Sequence, residues 1–169
     1  AYYRVTKDGG AAEVVDLSEL ATDIHELMGA PQFELVLPDG GLPILETARA
    51  PLALIPTNLI QHVVKHHDRK PGPIAIDACE IEARYEISVS DDGSGIDPRY
   101  HGKIFGLFQT LRRRDEVEGS GIGLPMVRRT LQSIGQNIRV ESDPVTKRGS
   151  RFIFTWPKIW TGDVQLEMD

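Results

Sequence analysis

Within residues 91–124 two glycine clusters flank a charged loop, and no other part of the chain restricts the fold so much. The first, Asp91-Asp92-Gly93-Ser94-Gly95, follows an apolar-alternating run that reads as a strand. The second, Gly119-Ser120-Gly121-Ile122-Gly123-Leu124, precedes a helical pattern. Phe105, Phe108 and the run Arg112-Arg113-Arg114-Asp115-Glu116 lie between them. Glycine lets main-chain N–H groups approach an anion closely, and a helix N-terminus adds a favourable dipole. Arginines on the loop supply charge-assisted hydrogen bonds. The stretch suits a backbone that wraps a polyphosphate.

The rest of the chain supplies a scaffold for that stretch. Residues 12–15 read as a short edge strand, and Asp16 opens a helix with Glu19 as capping-box partner. Leu17, Leu20, Ile24, Leu27 and Met28 recur at helical spacing, and Gly29 with Pro31 ends the run. Residues 33–37 and 42–46 read as a hairpin around Pro38-Asp39-Gly40-Gly41. The longest helical pattern covers 50–67, and Pro71-Gly72-Pro73 breaks it. Residues 74–78 and 84–90 read as paired strands, with Tyr85, Ile87 and Val89 on one face. A helix over 125–134 has Pro125 in its first turn and Gly135 at its end. Residues 138–141 and 151–156 form a last hairpin. Helices interspersed with strand pairs predict a mixed sheet with helices on one face, in a single domain over 12–157. Residues 1–11 read as an upstream linker and 158–169 as a loose tail. The chain starts at Ala1 rather than Met, which suggests a fragment of a larger protein.

Composition matters mainly for what it excludes. The net charge of −6 argues against a general nucleic-acid surface. A single cysteine, Cys79, leaves no internal disulfide framework and fits a reducing compartment. No apolar run approaches a membrane span.

Three features carry chemistry. Asn58, His62 and Lys65 stand at i, i+4 and i+7, so they form one polar ridge on an otherwise apolar helix. Such a ridge either faces phosphates and a metal or is the solvent stripe of a surface helix. Asp91 ends a strand and enters a glycine turn. There its carboxylate either accepts a hydrogen bond from a ligand's exocyclic amine or belongs to an ordinary Asp-Gly turn. A calcium loop is disfavoured, because Gly93 occupies a position that needs an acidic ligand. The second glycine cluster lacks the preceding strand of a dinucleotide fingerprint and the Gly-Lys-Ser/Thr of a P-loop. What remains is a phosphate-facing loop entering a helix.

Taken in order, Asn58-Leu59-Ile60, Lys65-His66-His67-Asp68, Asp91-Asp92-Gly93-Ser94-Gly95-Ile96, Lys103-Ile104-Phe105-Gly106-Leu107-Phe108 and Gly119–Leu124 form a specific set. It resembles the N, G1, F and G2 boxes of the catalytic, ATP-binding domain of two-component sensor histidine kinases, in the gyrase–Hsp90–kinase ATPase superfamily. The run from Phe108-Gln109-Thr110-Leu111 to Gly119 is most similar to phytochrome-like kinases. The resemblance implies an α+β fold: a two-layer α/β sandwich of Bergerat type, with a mixed sheet of about five strands plus N-terminal hairpin elements, backed by three helices.

Carried over residue by residue, the resemblance implies that Asp91 binds the adenine amino group, with Gly93, Gly95 and Ile96 shaping the pocket. Asn58 and His62 would hold Mg²⁺, Lys65 would reach the phosphates, and His66 would lie near the ribose or the phosphate edge. Phe105 and Phe108 would anchor a lid. Gly119, Ser120, Gly121, Ile122, Gly123 and Leu124 would line the triphosphate site, and Arg114 stands for the arginines that would stabilise the transferred group. The implied reaction moves the ATP γ-phosphoryl to a histidine on a separate upstream dimerisation domain of the same protein, in the cytoplasm, with a response regulator receiver domain as downstream partner. Tyr2-Tyr3-Arg4-Val5 resembles the close of that upstream domain. His25-Glu26-Leu27 mimics the start of an acceptor box, but Met28 stands where its arginine belongs, so His25 reads as a surface histidine.

The pattern departs from the family at three places. His62 replaces the usual second asparagine of the N box, and its imidazole nitrogen suits Mn²⁺ better than Mg²⁺. Leu54 leaves no carboxylate to activate water, which disfavours a gyrase- or Hsp90-like hydrolase. Pro125 replaces a usual alanine. An alternative is therefore a degenerate module that retains nucleotide or docks a partner without transferring phosphate. A serine kinase of the same superfamily is a third reading, and His66-His67 and the phytochrome-like lid count against it.

Overall fold

The computed structural model describes residues 10–67, 72–106 and 120–161, with side chains from Gly123 onward in the last stretch. The elements are β1 (Glu13–Asp16), α1 (Leu17–Met28), β2 (Leu35–Val36), β3 (Ile44–Thr47), α2 (Arg49–His66), β4 (Ile74–Ile81), β5 (Arg84–Asp91), α3 (Ser120–Ser133), β6 (Ile138–Asp143) and β7 (Lys147–Pro157). Two short 3₁₀ turns, Pro98–Tyr100 and Lys103–Phe105, follow β5.

A five-stranded sheet runs in the order β2-β4-β5-β7-β6. The β2–β4 pair is parallel and the other pairs are antiparallel, so the sheet is mixed. Its inner face carries Ile74, Ile76, Ile87, Val89, Phe152, Phe154 and Trp156. Against these pack Leu52, Ile55, Leu59, Ile60 and Val63 of α2 and Leu124, Val127 and Leu131 of α3. The period-2 pattern of the strands and the helical pattern of α2 and α3 thus meet in one core, as two-layer packing requires.

The N-terminal hairpin expected over 33–37 and 42–46 does not form. β2 instead pairs parallel with β4, with Leu35 opposite Ile74. β3 pairs antiparallel with β1 in a separate two-stranded sheet, with Asp16 opposite Ile44 and Glu13 opposite Thr47. The Pro38-Asp39-Gly40-Gly41 turn does close, through Gly41 N–H donating to the Pro38 carbonyl. It redirects the chain from one sheet to the other instead of folding it back. The small sheet is fastened to the large one by Trp156 Nε1, which donates to Thr47 Oγ1 at 2.9 Å with both residues fully buried.

The helix cap expected at Asp16 forms: its carboxylate accepts from the N–H groups of Ser18 and Glu19. His25 is partly buried rather than a free surface group, and its Nε2 pairs with the Phe33 carbonyl. α3 starts five residues before Pro125, at Ser120. Pro125 therefore sits inside the helix, where it withholds one N–H from the ladder, rather than at its first position. The segment after β7 also packs: Trp160 stacks on Trp156 with ring centroids 5.7 Å apart, and its Nε1 donates to the Gly10 carbonyl. The described residues 158–161 are thus held against the start of the domain, not loose.

Candidate functional site

The polar ridge of α2 borders an open cavity of about 350 Å³, lined by Met28, Asn58, Gln61, His62, Val64, Lys65 and Gly123. Asn58 is oriented from within its own helix, because its Nδ2 donates to the Leu54 carbonyl at 2.8 Å. This turns Oδ1 towards α3, where a β-carbon on Gly123 would come within 2.6 Å of it. Of the two readings of the ridge, a solvent stripe is ruled out for Asn58 and His62, which are partly buried at the junction of α2 and α3. Lys65 and His66, on the last turn, are exposed.

His62 packs its ring edge-on against Phe152, with centroids 5.5 Å apart, and lies 4.6 Å from the ring of His66. Its Nδ1 is enclosed without a hydrogen-bond partner. Burial pulls its pKa down to about 4, and the neighbouring His66 adds to the effect. The imidazole is therefore neutral at pH 7. Phe152 also receives the edge of buried Phe105, at 6.4 Å, so the 3₁₀ turn Lys103–Phe105 is rooted in the same aromatic contact as α2.

Asp91 lies opposite Ser150 in the β5–β7 ladder. Its Oδ1 accepts from the Gly93 N–H at 2.8 Å. Burial pushes its carboxyl above the usual range, and this hydrogen bond opposes the shift. The turn that follows is fixed by the β6–β7 connection. Gly149 N–H donates to the Gly93 carbonyl at 2.8 Å. Ser142 Oγ accepts from Ile96 N–H and donates to the Gly149 carbonyl, each at 2.8 Å. Gly149 has φ +95, and a β-carbon there would stand 2.2 Å from the Asp91 carbonyl oxygen. Only glycine fits. Asp91 lines a second cavity of about 370 Å³ together with Ser90, Ser142, Gly149 and Ser150.

The residues singled out from sequence therefore gather in two places. Asn58, His62, Lys65 and Gly123 line the first cavity, and Asp91 lines the second. His66, Gly93, Gly95, Ile96 and Phe105 line neither, although Gly93, Gly95 and Ile96 form the turn beside Asp91. Leu124 is 3 % exposed and belongs to the core. Phe108, Arg114 and Gly119 lie outside the described residues, as do the side chains of Ser120, Gly121 and Ile122. Met28, Gln61, Ser142, Gly149 and Ser150 are additions that sequence reasoning missed. Gly149-Ser150 reads alone as the end of a turn, and only the strand register shows that it abuts Asp91.

Among the described residues no group of three or more His, Cys, Asp or Glu side chains is placed to hold a metal ion. The pair expected to do so offers one amide oxygen, from Asn58, and one neutral imidazole. That set suits Mn²⁺ better than Mg²⁺, and it leaves most of the coordination shell to other oxygens.

The family model described as histidine kinase-, DNA gyrase B-, and HSP90-like ATPase matches residues 47–159. The chain belongs to that family. Its ATPase-type domain is 34% identical over 116 residues to cyanobacterial phytochrome A of Nostoc sp., covering 69% of this chain and 15% of that protein. It is 33% identical over 118 residues to the phytochrome-like protein Cph1 of Synechocystis sp., covering 70% and 16% respectively. The chain thus spans about one sixth of the length of these relatives. The fold matches the catalytic domain of histidine kinase ThkA, with a TM-score of 0.70 at 24% identity over 91% of this chain and 99% of that one.

Proposed function

We propose that this histidine kinase-like ATPase domain binds ATP and passes its γ-phosphoryl to a histidine on a separate dimerisation domain of the same protein, as the catalytic part of a cytoplasmic two-component sensor kinase. The observation that carries the reading is the meeting of Asn58, His62 and Lys65 with Gly123 around one cavity, where the glycine cluster enters α3. A triphosphate lying there has Lys65 within its reach and the positive end of α3 beside it. Asp91, held at the end of β5 by Gly93 and Gly149, presents its carboxylate to the amino group of adenine.

In the transfer, a ring nitrogen of the acceptor histidine forms a bond to the γ-phosphorus as the bond from that phosphorus to the bridging oxygen breaks, and ADP leaves with the electron pair. Such a reaction needs in-line positioning and charge stabilisation more than covalent help from the protein. Asn58 and Lys65 fix the phosphates, His66 borders the ribose, Phe105 roots the lid, and Arg114 stabilises charge on the transferred group. A divalent ion held by Asn58 and His62, Mn²⁺ more readily than Mg²⁺, would neutralise charge on the β- and γ-phosphates. A response regulator receiver domain is the onward acceptor.

The test mixes the chain, labelled ATP and a purified acceptor domain. The reading expects acid-labile label on a histidine of the acceptor. His62 favours one second reading, a module that keeps nucleotide but does not transfer, and ATP uptake without phosphohistidine would select it.

A further inference from the structure

His67, the residue at which α2 ends, makes a contact that the ATP reading leaves unused. Its side chain is only 3 % exposed, and its ring meets the edge of buried Phe33 at 5.5 Å. From there Nε2 lies 2.7 Å from Oδ1 of Asp92, the residue beside Asp91. The fit around this pair is tight. A β-carbon on Gly93 would come within 3.0 Å of Asp91 Oδ1 and 3.4 Å of His67 Cδ2. One on Gly72, just before β4, would come within 2.4 Å of Asp92 Oδ2. The Asp92 carboxylate, itself exposed, thus bridges the end of α2 and the approach to β4.

The opposite side of the turn is tied to the β6–β7 connection. Arg148 Nη2 donates to the Asp92 carbonyl at 3.1 Å, and Gly149 N–H donates to the Gly93 carbonyl. His67 is thus the contact that ties Asp92 to α2, while the β6–β7 connection holds the other side of the turn and His101 Nε2 pairs with the Ile96 carbonyl at its end. His67 and Asp92 also act on the charge of Asp91 in opposite senses, secondary to its burial: the imidazole favours the carboxylate and Asp92 opposes it.

We propose that His67 is a positioning residue for Asp91: by tying the end of α2 to Asp92 it fixes the glycine turn whose carboxylate reads the base. This rests on the ATP reading, which gives Asp91 its role. The property His67 controls is base selectivity, because a turn that shifts by a fraction of an ångström misplaces one acceptor while leaving the phosphate contacts on α2 in place.

The experiment measures ADP and GDP affinity of the whole chain by calorimetry, together with thermal midpoints, for the unaltered protein, His67→Phe, His67→Gln and Asp92→Ala. The unaltered chain is expected to prefer ADP. His67→Phe keeps a ring against Phe33 but loses the bond to Asp92, and should lower that preference on the order of fivefold. His67→Gln carries an amide N–H near the place of Nε2 and should recover most of it. Asp92→Ala, which removes the acceptor at an exposed position, should lower the preference in the same direction, and it decides the matter if His67→Phe does not fold. Lower midpoints with an unchanged ADP-to-GDP ratio in every variant would overturn the proposal and leave His67 a structural residue. Failure of the unaltered chain to take up either nucleotide would instead overturn the ATP reading, and this inference with it.

Discussion

The amide oxygen of Asn58 and the α-carbon of Gly123 approach so closely that a β-carbon at 123 would lie 2.6 Å from that oxygen. Asn58 cannot swing away freely, because its amide nitrogen is bonded to the Leu54 carbonyl. Glycine to alanine inside a helix ordinarily stabilises by about 1 kcal/mol. Gly123→Ala is expected to reverse that sign, costing on the order of 1–2 kcal/mol through overpacking, and to weaken ATP binding as well. Thermal or urea denaturation alongside a nucleotide titration checks both halves. A stabilised variant would show that the contact is not tight.

Two left-handed glycines offer a matched comparison. Gly149 and Gly135 have φ +95 and +76. Nothing lies within 4 Å of a β-carbon at Gly135, whereas one at Gly149 would strike the Asp91 carbonyl at 2.2 Å. Gly135→Ala should cost about 1–2 kcal/mol, the strain of the backbone alone. Gly149→Ala should cost at least about 2 kcal/mol more, because the β5–β7 pairing at Asp91 has to open. Equal losses in urea denaturation would remove the special standing given to Gly149.

His62 makes stability depend on pH. Its folded pKa, about 4, lies below the ordinary value of 6.5. Between these values the unfolded chain binds a proton that the folded chain refuses, so stability falls as pH drops from about 6.5 towards 4. After allowance for water reaching the cavity side of the ring, the loss should be about 2 kcal/mol. His62→Asn should flatten the thermal midpoint over that window relative to the unaltered chain. Parallel curves for the two proteins would contradict it.

The same residue bears on the metal. A neutral imidazole is a poor ligand for Mg²⁺ and an acceptable one for Mn²⁺. ATP affinity of the unaltered chain should be higher in Mn²⁺ than in Mg²⁺, and His62→Asn should recover affinity in Mg²⁺. No gain from that substitution would mean His62 does not touch the ion.

Much of this architecture is legible in the sequence, for identifiable reasons. α2 and the β4–β5 and β6–β7 pairs follow from periodicity and turn residues, which are local signals. Asp16 and Gly135 mark helix ends because capping is local too. The partner of β2 is not local: Leu35 pairs with Ile74 across the whole of α2, and a Pro-Asp-Gly-Gly turn imitates a hairpin without making one. Pro125 misled in a similar way, since proline marks a first turn only on average and α3 begins in the glycine cluster before it. In the candidate site, Asn58, His62 and Asp91 stand out by residue type and spacing. Gly149, Ser142 and His67 do not, because each acts on Asp91 or its turn through sheet register or a tertiary contact.

The account turns on one ATP held between Asp91 and the glycine entry to α3. Calorimetric titration of the chain with ATP, in Mn²⁺ and in Mg²⁺, tests this most directly when repeated with Asp91→Asn. The expected result is saturable uptake by the unaltered chain and affinity lower by roughly tenfold or more in the variant, the loss of one hydrogen bond to a charged acceptor. No uptake in either ion, or identical binding by the two proteins, would contradict it.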